Sequence, residues 1–269
     1  MSKINKIQKV GVLINSCDKY SDVWEIFFPL FFKYWPDCPW EIYLGSNTKT
    51  YIHPKVNPIL VGRDISWADS TRKMLEQIPY EHILFLLDDY FIFSYVENLK
   101  VLRLYDSFCQ LDANYLRLRN DPPLSNPVEG FPHLVEIVPG EIYRTSLDVC
   151  FWKKSTFLAI LKNGESPWKM EIYGSIRSNS FPAFFASKEW IIERRNGLEA
   201  GKWKRYNLAL IKKEGLNIPS GHPIMGKVEH LYLNIRTHFY SSFFYKSSFF
   251  KNVIKIIKKT YCFFSSIKK

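Results

Sequence analysis

Asp88 and Asp89 stand side by side where the apolar run HILFLL, residues 82–87, comes to an end. Two like charges beside a buried strand are costly, because burial disfavours ionisation and each carboxylate disfavours the other. A divalent cation neutralises such a pair well. Hard ions such as Mg²⁺ or Mn²⁺ prefer carboxylate oxygens, take only one or two from the protein, and complete their shell with water and phosphate oxygens. The pair therefore points to metal-assisted chemistry at a phosphate, with Asp88 and Asp89 as metal ligands. The other reading is a turn in which one Asp caps and the other is solvated.

These carboxylates must be positioned by a sheet. Short apolar runs alternate with helical patterns through the first half of the chain, as in α/β folds with helices covering a sheet. KVGVLI is the first expected strand. The loop NSCDKYSD follows, with Ser21 or Asp22 able to cap a helix over VWEIFFPLFFKYW. WEIYLGSN and NPILVG read as strands. In DISWADSTRKMLEQIP, Ser66 and Asp69 have capping-box spacing, Trp67, Met74, Leu75 and Ile78 recur at helical spacing, and Pro79 ends the helix. HILFLL is the continuous apolar run of a central strand covered on both faces, so the carboxylates arrive at its carboxyl end, where ligands bind in open α/β sheets. NLKVLRLYDSFCQL reads as helix, NYLRL and YRTSLDVCFW as strands, KKSTFLAILKNG as helix, and SPWKMEIYGSIRS as the start of another. The Pro-rich stretch RNDPPLSNPVEGFPHLVEIVPGEIY reads as a surface excursion able to shape a site.

Composition narrows the function classes. The chain has 269 residues, is 46% hydrophobic and 17% aromatic, and carries a formal charge of +11. That charge resides at the ends: Lys3, Lys6 and Lys9 precede every acid, and no Asp or Glu follows Glu229. The body between is neutral, so nucleic acid is not an expected partner. Five scattered cysteines without a C-x-x-C pair argue against a disulfide framework or zinc site. The N-terminus has no signal-peptide cleavage pattern, and IFFPLFFKYW, the nearest approach to a membrane span, is interrupted by Pro29 and Lys33.

Residues 236–269 read as a separate tail after a catalytic domain over 1–235. Helical spacing aligns Phe250, Ile254, Ile257, Tyr261 and Phe264, with Lys251, Lys255, Lys258 and Lys259 on the opposite arc. Such a basic amphipathic helix lies on an anionic membrane surface. The expected location is the inner face of the cell membrane.

The order VGVLINSCDKY, a strand, a helix ending just before ILFLLDDY, and then SPWKME resembles GT-A-fold nucleotide-sugar glycosyltransferases of the type that builds bacterial cell-surface polysaccharides. The resemblance implies a Rossmann-like mixed sheet with helices on both faces. It implies that Ser16, Cys17 and Asp18 hold the nucleoside, and that Asp88 and Asp89 hold a divalent cation on the donor diphosphate. It also implies a base at a helix start downstream, which selects Glu171, with Asp148 as second choice, and it offers His222 as a further metal ligand. Trp67 could stack on a base or sugar, or be core; Arg72 could face the diphosphate, or be solvated. The acceptor would be a glycan or a lipid-linked glycan. LDDY departs from the usual Asp-any-Asp pattern, because Tyr90 stands where the second Asp is commonest.

P-loop, dinucleotide, zinc-protease and nucleophile-elbow motifs are all missing from the sequence. Two rivals remain: a metal-dependent sugar nucleotidyltransferase, and a non-catalytic membrane-attached scaffold with a degenerate fold of the same type.

Overall fold

VGVLIN forms strand β1 (Val10–Asn15), buried along its whole length in a computed structural model that describes residues 10–226 and 229. Its unbroken apolar character follows from its place between two parallel neighbours, β2 (Glu41–Ser46) and β4 (His82–Leu87). With β3 (Val56–Leu60) these strands make a parallel half-sheet in the order β3-β2-β1-β4. The sheet then turns mixed. β8 (Cys150–Lys153) runs antiparallel between β4 and β6 (Tyr115–Arg117), β9 (Phe184–Ser187) lies parallel to β6, and β7 (Leu134–Glu136) closes the edge antiparallel to β9. A short strand β5 (Tyr90–Ile92) pairs separately with β10 (Arg194–Asn196).

Helices cover both faces, as the sequence implied. Helix α1 (Trp24–Tyr34) and α3 (Asn98–Gln110) bury aromatic side chains, linked through Trp35, Trp40, Tyr105 and Phe151. On the opposite face, α2 (Trp67–Gln77) and α4 (Lys154–Ile160) share a core with Leu13, Phe85 and Trp152, where Trp152 stacks on Phe157 at 4.5 Å. Ser66 caps α2 as expected, accepting from Asp69 N at 3.2 Å.

Three expectations change. Neither Ser21 nor Asp22 caps α1: a 3₁₀ turn over Asp18–Tyr20 intervenes and the capping position falls to Val23, which has no side-chain acceptor. Strand β8 begins only at Cys150, since Tyr143 is left-handed (φ 53°) and Arg144, Thr145 and Asp148 are committed to buried polar contacts. The Pro-rich excursion contributes the edge strand β7.

The described chain divides into two compact units, the break falling after Gly197, and the first unit also takes in Leu210–Gly221. Within the second, β11 (Leu198–Glu199) and β12 (Lys202–Trp203) form a hairpin through Ala200 and Gly201, both at positive φ, and Trp203 N donates to Pro223 O at 2.9 Å. Helix α5 spans Arg205–Lys213. The N-terminal lysines and the basic tail over 236–269 lie outside the described residues. Among those described, no helix is long and apolar enough to cross a membrane.

Candidate active site

After Leu87 the chain turns through Asp88 and Asp89 into β5, so both carboxylates sit at the carboxyl end of β4. They are not equivalent. Asp88 is buried, and Ser16 Oγ, in the loop after β1, donates to its Oδ2 while itself accepting from Trp24 Nε1 at 2.8 Å. Burial first, and then the charge of Asp89, push the Asp88 carboxyl well above the ordinary range. Asp89 is only half-buried, and its carbonyl accepts from Gly197 N at 2.7 Å.

That backbone bond clamps the carboxylate turn, and Gly197 is required there. A Cβ on Gly197 would fall 2.1 Å from the ring of Phe91, which is fully buried in β5. Gly197→Ala is expected to destabilise by about 1–3 kcal/mol, the usual cost of overpacking. A urea midpoint unchanged from wild type would contradict this.

Beyond the turn, the Tyr90 ring faces the Arg194 guanidinium at 3.9 Å. Arg194 donates Nε and Nη2 to Asp148 Oδ1 at 2.8 and 2.7 Å, and Arg119 pairs with Oδ2 of the same carboxylate. Arg119 also reaches Asp121 at 2.7 Å and lies over the Trp190 ring at 5.1 Å. Burial works to raise the Asp148 pKa, but the two guanidiniums outweigh it and hold the carboxyl below its usual value. Burial likewise opposes the charge of Arg194, and Asp148 more than restores it. A carboxylate so paired is a poor proton acceptor. The second-choice base is thus an anchor for two arginines.

Glu171 sits differently. It lies in a π-helical turn, Met170–Gly174, a local irregularity that often marks functional positions. Its Oε1 accepts from Leu147 N at 2.8 Å and Ser146 Oγ at 3.3 Å. Burial raises its pKa above the ordinary value, Asp148 adds to the rise, and the Leu147 amide, the Ser146 hydroxyl and Arg194 oppose it. A carboxylate poised higher than usual suits a general base near neutral pH. Asp89, Asp148, Glu171 and Arg194 all act electrostatically on the buried Tyr90 phenol, Arg194 by lying against its ring.

The remaining candidates divide. Cys17 and Tyr20 lie within the field of Asp88, and burial raises both of their pKa values. Asp18 is turned toward the β2–β3 loop, where it accepts from the amides of Asn47, Thr48 and Lys49 at 2.9–3.1 Å and from the Thr48 hydroxyl. It orders that loop. Trp67 donates to Asn15 Oδ1 at 2.8 Å and packs its edge on Phe85, the core alternative. Arg72 donates to Leu161 O at 2.8 Å, a structural tie. His222 belongs to the second unit, with Nδ1 3.2 Å from Gly201 O. Among the described residues no three of His, Cys, Asp and Glu gather as a metal site. A divalent ion needs fewer when a diphosphate supplies the rest, and the mutual repulsion that raises Asp88 is what such an ion relieves.

Sequence reading missed Arg119 and Arg194. Each reaches the site from a strand or loop far along the chain, and an arginine in ERRNG carries no local signal. Tyr90 was noticed only as a departure from a pattern, whereas it is the surface against which Arg194 rests.

No protein-family model and no curated protein sequence matches the chain. Among solved structures, the chain is similar to residues 1–349 of S. aureus TarS at 12% identity and a TM-score of 0.43, over 67% of this chain and 60% of that one. It spans less than two thirds of that protein's solved length. The galactosyltransferase LgtC, solved with donor and acceptor sugar analogs, is similar at 12% identity and a TM-score of 0.38, over 81% of this chain and 88% of that one. The 4-diphosphocytidyl-2C-methyl-D-erythritol synthase from Anaerococcus prevotii is similar at 8% identity and a TM-score of 0.44, over 79% and 98%. At these values the likeness carries no argument, and a functional assignment has to come from the residues at the end of β4.

Proposed function

We propose that this protein is a glycosyltransferase that moves a sugar from a nucleotide-diphosphate donor to a hydroxyl of a glycan or lipid-linked acceptor in surface polysaccharide synthesis. The observation that carries the reading is Glu171: a half-buried carboxylate that accepts from Leu147 N at 2.8 Å, has a raised pKa and acts together with Asp89 on the Tyr90 phenol in β5. Asp89, with Asp88 behind it, would hold the divalent cation, which when bound supplies positive charge to a diphosphate leaving group. Glu171 takes the proton from the acceptor hydroxyl, whose oxygen bonds to the anomeric carbon as the bond from that carbon to the diphosphate oxygen breaks. The nucleoside diphosphate departs with the electron pair. Arg194 and Arg119 are both fixed on Asp148, and Arg194 holds the Tyr90 ring beside the carboxylate turn. The Ser16 loop, tied to Asp88, borders the donor side.

The test is product analysis with a panel of nucleotide-sugars, acceptor extracts, and Mn²⁺ or Mg²⁺. Release of nucleoside diphosphate that Asp89→Ala abolishes supports the reading. Release of pyrophosphate would replace it with the nucleotidyltransferase, and no turnover with unaltered donor binding in Asp89→Ala would favour the scaffold. We further propose that the protein works at the inner face of the cell membrane, the basic tail being one means of attachment.

A further inference from the structure

The helical run that carries Glu171 is inside out. Its turns, Pro167–Lys169, Met170–Gly174 and Ser175–Arg177, direct small or polar residues inward: Gly174, Ser175 and Ser178 are buried with Met170. Ser175 Oγ accepts from Thr145 N at 3.1 Å, and Ser178 Oγ accepts from Arg144 Nη1 at 3.0 Å. The large apolar residues face out. Trp168 is 56% exposed, Ile172 51%, Tyr173 51% and Ile176 64%. A helix on the surface of a water-soluble body normally shows the reverse pattern, and an apolar cluster left in water marks a contact.

Within residues 162–177 the exposed charges are lysines, and the nearby half-buried Asp69 is engaged by Gly164 N at 3.0 Å. Lys162 and Lys169 are exposed, whereas Glu165 is buried against Arg177 at 2.6 Å and Glu171 is turned toward the Leu147 amide. Trp and Tyr beside Ile, with a lysine fringe and no exposed acid within residues 162–177, have the composition of a membrane interface. Four large side chains are also far fewer than the roughly 20–30 residues per side that a stable protein interface uses.

We propose that the outward face of residues 168–176 seats the protein on an anionic lipid surface, Trp168, Ile172, Tyr173 and Ile176 entering the interface and Lys162 and Lys169 meeting the headgroups. This seat is distinct from the tail. It places Glu171 one helical face away from the bilayer, which would bring a lipid-linked acceptor to the base; that consequence rests on the function proposed above, and the seat itself does not.

A photo-crosslinking amino acid at position 172 of the full chain, with phosphatidylcholine vesicles containing phosphatidylglycerol, tests it. The comparison position is 99, where Leu99 is 84% exposed on α3. Position 172 is expected to give at least about five-fold more lipid adduct than 99, falling when phosphatidylglycerol is omitted or salt is raised. Equal labelling at the two positions, or a protein–protein adduct of twice the chain mass in place of lipid adduct, would overturn the proposal. The readout needs neither donor nor turnover, so failure here leaves the transfer reading standing, and failure of the product assay leaves the seat standing.

Discussion

Glu171→Gln is expected to lower kcat for sugar transfer by about 10²–10⁴-fold, the usual contribution of a positioned general base, while donor binding stays near that of wild type. The amide oxygen can still accept from the Leu147 amide, so the loop before β8 keeps its place. What disappears is the ability to take a proton. The same substitution is expected to stabilise the protein at alkaline pH. Burial raises the folded-state pKa of Glu171 above the ordinary 4.5, so its contribution to stability is fully present below that value and is lost as pH rises through the raised one. Glutamine carries no such penalty. The variant should therefore melt above wild type at pH 8 and the two should converge near pH 4. Wild-type activity should also fall on the acid side as Glu171 protonates, along a limb displaced upward from an ordinary glutamate. Full activity in Glu171→Gln would remove it from the chemistry, and equal melting at both pH values would show that its burial carries no electrostatic cost.

Removing Arg194 should have the largest effect on stability. Arg194→Ala leaves Asp148 buried with Arg119 as its remaining cation, and exposes the face of Tyr90 against which the guanidinium lay. Breaking one partner out of a buried ion pair typically costs about 3–5 kcal/mol, and the loss is expected at the lower end of that range because Arg119 still compensates part of the Asp148 charge. Lysine should recover little of this, since a single ammonium cannot place two donors in the geometry of the fork. Adding Asp148→Asn to Arg194→Ala removes the stranded charge and should restore part of the loss. A double-mutant cycle in urea measures the coupling; additive losses would show that the two side chains do not depend on one another.

The parallel half of the fold was legible in the sequence because its causes are local. HILFLL reads as a central strand since both its faces are covered, and Ser66 reads as a cap since the cap contacts a residue three positions on. The mixed half was less legible. β7 and β9 are short, and β7 lies in a stretch dominated by turn residues, so pairing decides them and propensity does not. At the site, the carboxylate pair stands out in the sequence by residue type and position, whereas Glu171 is selected only by the resemblance. Asp18 and Arg72 each make a structural contact that the sequence does not announce, to loop amides and to a carbonyl, because those partners lie in distant segments. Arg194 was invisible: its meaning depends on β10 lying beside β5, a pairing between distant segments that nothing in ERRNG announces.

The clamp on the carboxylate turn also sets an order of events during synthesis. Strands β1 to β4 need nothing beyond Leu87 in order to pair with one another. Gly197 and Arg194 leave the ribosome on the order of ten seconds after Asp89, at translation rates of ~5–20 residues per second. A nascent chain therefore acquires its sheet while the acidic turn is still untethered, and a product truncated before β10 would retain a foldable half with no organised site. The carboxylate turn is organised only once β10 and Gly197 have been made.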